Sequence, residues 1–514
     1  IVAPFGQRTT LTVNGNGYLA SVANPAGETH QLTTTADGLL TRFADPKGNA
    51  SQFTYDALGR LQRDANAAGG SQNLARAELA DGYTVNRSTA LNRTTAYTVE
   101  DLPIGDRRRK VRAPDGTETL TLLGTNGSAE ITAPDGTVTD TLDGPDPRFG
   151  MQSPITTSSK VTTGGLTATA SSAATVSPAN PADPLTFTAL TRTATLNGRT
   201  ATSTYTAATR RTDSRSPANR QSYSILDAKG RVIEAGITGL DPVRMSYDTR
   251  GRLAGVAQGA GANERVTTFS YNAAGYFASA TDPLGQSGSL SYDPAGRVQT
   301  QTLANGQAID FDYDANGNLT GLVPPGKPAH GFAYNAVNLA TAYTPPAVTG
   351  SGATSTTYAY NADKQVTRIT RPDGGLLDYG YDAAGRLGTL SVPAGQYGYS
   401  YNGVGKLSGI TAPGGVGLGY TYNGALLTGV NWSGPIAGSV GFGYDTDFRV
   451  NAITVNGANP VSYQYDADSL LTRASFGAVN LNLTRSSQNG LLTGTALGSA
   501  TESYSYNSFG EVGG

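Results

Sequence analysis

A glycine ruler runs through this 514-residue chain. Gly17, Gly38 and Gly59 lie 21 residues apart, and so do Gly27, Gly48 and Gly69. The spacing returns at Gly230 and Gly251, and again at Gly275, Gly296 and Gly317. A fixed period of this length marks a repeat architecture, in which each period is one supersecondary unit. Length alone would suggest about three domains, but that prior does not apply to repeats.

Around many of these glycines stands one phrase, Tyr-Asp/Asn-x-x-Gly-Arg-Leu. Its clearest copies begin at Tyr55-Asp56 with Gly59, Tyr247-Asp248 with Gly251, Tyr292-Asp293 with Gly296 and Tyr381-Asp382 with Gly385, and Tyr313 with Gly317 is a further copy. Asp or Asn can hydrogen-bond the backbone two residues on and start a type I turn, while Gly supplies positive φ for a hairpin loop of three to five residues. The flanks are then strands. Ile309-Asp310-Phe311-Asp312-Tyr313 alternates apolar and polar without a fault, as a half-buried strand does. A second turn signal follows about ten residues after the first, as in Asp45-Pro46-Lys47-Gly48 and Asp282-Pro283-Leu284-Gly285. Each unit is therefore two strands and two turns. A helical solenoid would need apolar residues at i, i+3, i+4 and i+7, and these segments lack them.

The expected fold is all-β, a hairpin meander of about 24 units and 48 strands. As an open sheet it would run to about 230 Å, and sheets of that size curl, split or close. Its stripes are rich in Tyr (27) and poor in Phe (13) and Trp (1), which suits a thin wall wetted on one side better than a thick core. We expect a coiled, hollow, shell-like wall. Repeats are clear over 1–70 and 222–514, and the Thr-, Ser- and Ala-rich stretch 71–221 reads as divergent repeats of one continuous β structure.

Composition restricts partners and chemistry. Lys+Arg 37 against Asp+Glu 39 gives no basic field for nucleic acid. The run Arg107-Arg108-Arg109-Lys110 reads as a solvated loop. No apolar stretch approaches the ~18 residues of a membrane-spanning helix, so no membrane insertion by this segment is expected. Without cysteine there is no thiol nucleophile and no Cys-ligated metal. His30 and His330 read as ordinary strand or loop residues. Asp140, Asp143 and Asp146 are spaced as a possible calcium set, with exposed turn residues as the alternative. No catalytic, cofactor or metal site is singled out.

The Tyr-Asp-x-x-Gly-Arg-Leu phrase at a 21-residue period resembles the RHS or YD repeat of bacterial polymorphic toxins, insecticidal toxin-complex C components, wall-associated proteins and teneurins. The resemblance implies a β-strand spiral closing into a shell, which in bacterial members encloses a toxin at the protein's own C-terminus and travels with secretion or delivery machinery. It implies a secreted or cell-surface location in a bacterium and no catalysis by the shell itself. The alternative function is an extracellular adhesive or structural wall. The chain ends in mid-unit at Tyr506 to Gly514, so a piece of a longer protein is expected, and Asp282-Pro283-Leu284-Gly285 reads as a plain turn rather than a cleavage site. In three copies Asn338, Lys364 and Phe448 replace the turn glycine; Asn tolerates positive φ, whereas Lys364 and Phe448 imply a changed turn.

Overall fold

The computed structural model describes residues 1–347 and 355–513; Gly514, the last residue of the closing segment, lies outside them. Among the described residues, forty-five strands form a single antiparallel sheet. Strands pair with their sequence neighbours, so the chain is a meander of hairpins. Two single turns of 3-10 helix, Gly261–Asn263 and Pro413–Gly415, are the only helical elements among the described residues. No helix there is long and apolar enough to cross a membrane.

Strands and tight turns alternate throughout 71–221, and its Thr-rich segments pair in register. Ala170 to Pro178 lies against Phe187 to Leu196, and that strand lies in turn against Arg199 to Thr206. The basic run belongs to strand Arg107–Arg112 and is not a loop. Arg107 pairs with Asp101 at 2.7 Å and Arg108 with Glu100 at 2.6 Å, so acidic residues across the hairpin hold these cations extended.

In the regular repeats both turns share one geometry. In the first, Asp56 N–H donates to Arg60 C=O (2.9 Å), Gly59 N–H donates to Asp56 C=O (3.0 Å), and Gly59 has φ 75°. The ladder shifts register between Thr54 and Tyr55, the bulge expected of a type I turn closed by an αL residue. Asp282 to Gln286 repeats the pattern at the other end of the strands, with Gly285 at φ 80°. The hairpins therefore leave one edge of Tyr-Asp turns and an opposite edge of second turns.

The turn survives loss of glycine. Lys364 (φ 66°), Phe448 (φ 60°) and Asn338 (φ 60°) occupy the αL position with both turn hydrogen bonds intact. The expectation of a changed turn at Lys364 and Phe448 is corrected accordingly. The Asx cap and two backbone bonds over-determine the loop and hold a strained residue in place. Only the copy at Tyr422 differs, closing through the two residues Gly424-Ala425.

The sheet is a single layer. Ala44 and Leu190 are the only buried hydrophobics among the described residues, and no large side chain is fully buried. The accessible surface is 28172 Å², against about 18,000 Å² for a compact monomer of 52.9 kDa. The excess means that, among the described residues, no second layer covers the sheet within either unit. One face carries half-buried Ile309, Phe311 and Tyr313, and the other carries exposed Asp310 and Asp312. Two compact units are distinguished, one of 1–99, 111–117 and 267–399, the other of 100–110, 118–266 and 400–514.

Candidate functional site

The repeated phrase builds one cluster many times over. Asp56 Oδ1 accepts from the backbone N–H of Leu58 and Arg60, and its Oδ2 takes Arg60 Nε at 2.7 Å. Asp248 with Arg252, Asp293 with Arg297 and Asp382 with Arg386 repeat the arrangement. Hydrogen bonds to the ionised form lower a carboxyl pKa. For Asp56 and Asp248 the Arg backbone N–H is the largest cause, and the equivalent Asp227 is held at about 2 by Arg231. Burial pushes Asp293 and Asp382 up, but their arginine partners outweigh it and hold both below the ordinary value.

Tyrosine closes a gap at this edge. Strand Leu40–Ala44 pairs with Ala50–Tyr55 only as far as Arg42 opposite Gln52, so adjacent hairpins splay apart toward the Tyr-Asp turns. The Tyr55 hydroxyl donates to Leu40 C=O at 2.7 Å, satisfying a carbonyl just beyond the end of that ladder. Tyr247 does the same for Val232, Tyr292 for Phe277 and Tyr381 for Val366, each over 15 residues. Burial raises the Tyr292 and Tyr381 hydroxyls above their usual pKa. Tyr313 instead lies 5.1 Å under the Arg297 guanidinium, and Tyr247 lies 4.3 Å under Arg231. Each arginine thus links its own turn aspartate to the tyrosine of the next repeat. Gly251, Gly296, Gly317 and Gly385 all have φ between 83° and 89°.

The turns also form a seam. In each unit the opposite-edge turns of the earlier strip meet the Tyr-Asp turns of the later one. In the first unit Glu28 pairs with Arg297 (2.9 Å), Lys47 with Asp314 (2.9 Å), Arg93 with Asp363 (2.8 Å) and Asp115 with Arg386 (2.9 Å). In the second, Asp135 pairs with Lys406 (2.6 Å), Arg199 with Asp447 (2.5 Å), and Arg220 with both Asp466 (2.7 Å) and Asp468 (2.5 Å). Burial pushes Asp115, Asp135, Asp314, Asp447 and Asp468 up, yet hydrogen bonds and the facing cations leave each below its ordinary value. The phrase arginine was visible in the sequence as a fixed letter. Its seam partners, 269 residues away for Arg297 and 271 for Arg386, were not.

The candidate calcium residues are drawn apart into separate bonds. Asp140 faces Lys160 (3.7 Å), Asp143 accepts from Thr156 (2.8 Å), and Asp146 accepts from the Arg148 N–H (2.8 Å). No group of three or more His, Asp or Glu placed to hold a metal occurs among the described residues. His30 stacks on Phe43, and His330 bonds the Tyr343 hydroxyl at 2.8 Å. Asp282 to Gly285 has the same turn hydrogen bonds as Asp45 to Gly48.

Among solved structures, the chain is similar to TcdB2-TccC3-Cdc42 (11% identity, TM-score 0.47, 97% of this chain and 30% of that one). It is also similar to TcdB2-TccC3-TEV (11%, 0.40, 98% and 36%) and to the Photorhabdus luminescens Tc holotoxin pore carrying a TccC3 mutation (12%, 0.35, 98% and 32%). The chain spans about a third of the length of those chains. No match is found among curated proteins. The profile of the Teneurin YD-shell family matches residues 2–513, so the repeats, turns and seam described above are those of a chain that belongs to this family.

Proposed function

We propose that the chain is a non-catalytic wall that encloses a polypeptide, a toxin or effector domain outside this sequence, and helps deliver it through a bacterial secretion route. The observation that carries this reading is the uncovered single layer. An apolar Tyr, Phe and Ile stripe half-buried only by its own neighbours, with no second layer over it, is unusual in a chain with this much structure. A stripe of that kind suits contact with another polypeptide, above all one held short of its folded state with its own apolar groups exposed. The work is steric, which agrees with the ordinary structural use made of both histidines and the turn aspartates.

The test is protection of a passenger. A small, protease-sensitive reporter domain is fused after residue 514 and exposed to protease, beside the same reporter on an unrelated carrier. Enclosure predicts that the reporter outlasts its control by at least tenfold in protease concentration. Digestion at the control rate with the wall intact would favour an extracellular adhesive or structural role.

A further inference from the structure

Two kinds of bond hold the second unit together. Within each of its strips, 118–266 and 400–514, backbone ladders run from strand to neighbouring strand without a break. The seam between the strips is bonded mainly through side chains. Asp135 pairs with Lys406, Arg199 with Asp447, and Arg220 with Asp466 and Asp468. Asn423 Nδ2 donates to Gly164 C=O (2.9 Å) and Asn197 Nδ2 to Thr446 C=O (3.0 Å). Three backbone amides also reach across. Ala218 N–H donates to Asp468 Oδ1 (2.8 Å), Ala425 N–H to Thr163 Oγ1 (2.6 Å) and Asp241 N–H to Ser508 C=O (2.7 Å). The last is the one backbone-to-backbone bond across this seam among the described residues.

We infer that the two strips of this unit part along the seam in one cooperative step, as intact ladders, short of unfolding. Burial argues against opening contact by contact. The Asp447 side chain is 6% exposed and Thr163 is 4% exposed. A carboxylate that loses its cation while the seam stays shut keeps the cost of burial and forfeits the pairing. The Ala425 N–H, cut off from the Thr163 hydroxyl, is left in the same position. Water relieves both costs only when the neighbouring contacts open as well. Stiffness acts in the same direction, because a turn cannot lift from the seam while turns about 10 Å to either side, on the same ladder, stay docked. Parting exchanges charge pairs and hydrogen bonds for water, whereas melting a strip also frees every backbone group in its ladders, so the parted state lies between the native and unfolded ones. On the enclosure reading, parting is the step that lets a passenger out. That role rests on the reading; the parting does not.

Ala218, Ala425 and Asp241 are built-in reporters, because the acceptor of each amide lies on the other strip. Amide hydrogen exchange resolved to single residues is measured for the natural chain, Arg220→Ala, Asp135→Asn and Arg231→Ala. Arg220 and Asp135 face the seam, whereas Arg231 bonds Asp227 at the other edge of the same strip. The Thr163 turn is two turns from that of Arg220, about 20 Å along the edge. In the natural chain the three reporters are expected to share one protection factor within about threefold, roughly tenfold or more below that of strands Arg199–Thr206 and Val450–Val455. Arg220→Ala and Asp135→Asn, altered at different turns, should each speed all three reporters by roughly tenfold or more and leave those strands unchanged. Arg231→Ala should leave the reporters at their natural rates. Circular dichroism verifies that each variant keeps its sheet, and Asp135→Asn carries the test should Arg220→Ala not fold. Acceleration confined to Ala218 in Arg220→Ala would mean local breakage and overturn the inference. Equal acceleration in the ladder strands, or of the reporters in Arg231→Ala, would mean general loosening and overturn it too. Exchange is read on the chain without a passenger, so failure here leaves the enclosure reading standing.

Discussion

At the scale of single residues the repeat is a device for closing a splayed edge. The turn glycine provides φ near 85°, the aspartate caps the loop and anchors the arginine, and the tyrosine hydroxyl replaces a missing rung of the ladder. Glycines differ in what a side chain would meet. A Cβ on Gly296 would sit 2.5 Å from the Tyr276 hydroxyl, and one on Gly385 would sit 3.1 Å from Arg93, whereas Gly306 faces open space. Gly296→Val and Gly385→Val are therefore expected to destabilise by about 1 to 2 kcal/mol from the backbone alone, with the steric clash added. Gly306→Ala should cost about 1 to 2 kcal/mol, because only the αL conformation resists it and no clash is added. Thermal unfolding checks the order, and a Gly306→Ala loss as large as that of Gly296→Val would contradict it. Tyr381→Phe removes the bond to Val366 C=O while keeping the ring, and about 1 kcal/mol is expected to be lost. Amide exchange should rise locally at strands Val366–Thr370 and Leu376–Tyr381; exchange unchanged in both strands would count against the hydroxyl's role.

At the scale of elements, strands are joined by backbone ladders within a strip and by side-chain charges across the seam. Arg220 is 12% exposed and bonds both Asp466 and Asp468, so Arg220→Ala leaves two carboxylates without their cation and should cost about 2 to 3 kcal/mol. Arg371→Ala, at an exposed pair with Asp373, should cost less than about 0.5 kcal/mol. Denaturant unfolding separates the two, and equal losses would contradict the seam's energetic weight. The pH dependence follows from sign. Asp115, Asp135, Asp314, Asp447 and Asp468 have folded-state pKa values below the ordinary 3.8, so the unfolded chain takes up protons first as pH falls. Their contribution is fully present above the ordinary carboxylate range and is lost as pH drops through the lowered values. Stability should be level from pH 7 to about 5 and fall steeply below about 4; a marked loss between pH 7 and 5 would point to some other titrating group.

These elements were unequally legible in the sequence. Turns and period-two stripes are local, so Asp56, Gly59 and the alternation of Ile309 to Tyr313 announced them directly. Lys364 and Phe448 misled because residue preference was weighed without the cap and two backbone bonds that hold the turn. The basic run at Arg107 misled because charge density suggests solvent, while Glu100 and Asp101 stand across the hairpin. The seam could not be read at all. Its offset drifts from 274 residues at Thr89 and Asp363 to 246 at Arg220 and Asp466, because each short or long turn shifts the later strip against the earlier one.

At the scale of the whole molecule, the proposed function requires that the single β layer, stripe-lined and joined within each unit by a charged seam, form a wall around an interior. The measurement that bears on it most directly is cryo-electron microscopy of the purified chain carrying the C-terminal passenger. The account predicts a wall one sheet thick curving around a space that holds the passenger's density. A solid particle in which two sheets pack face to face about 10 Å apart, with the passenger outside, would contradict it.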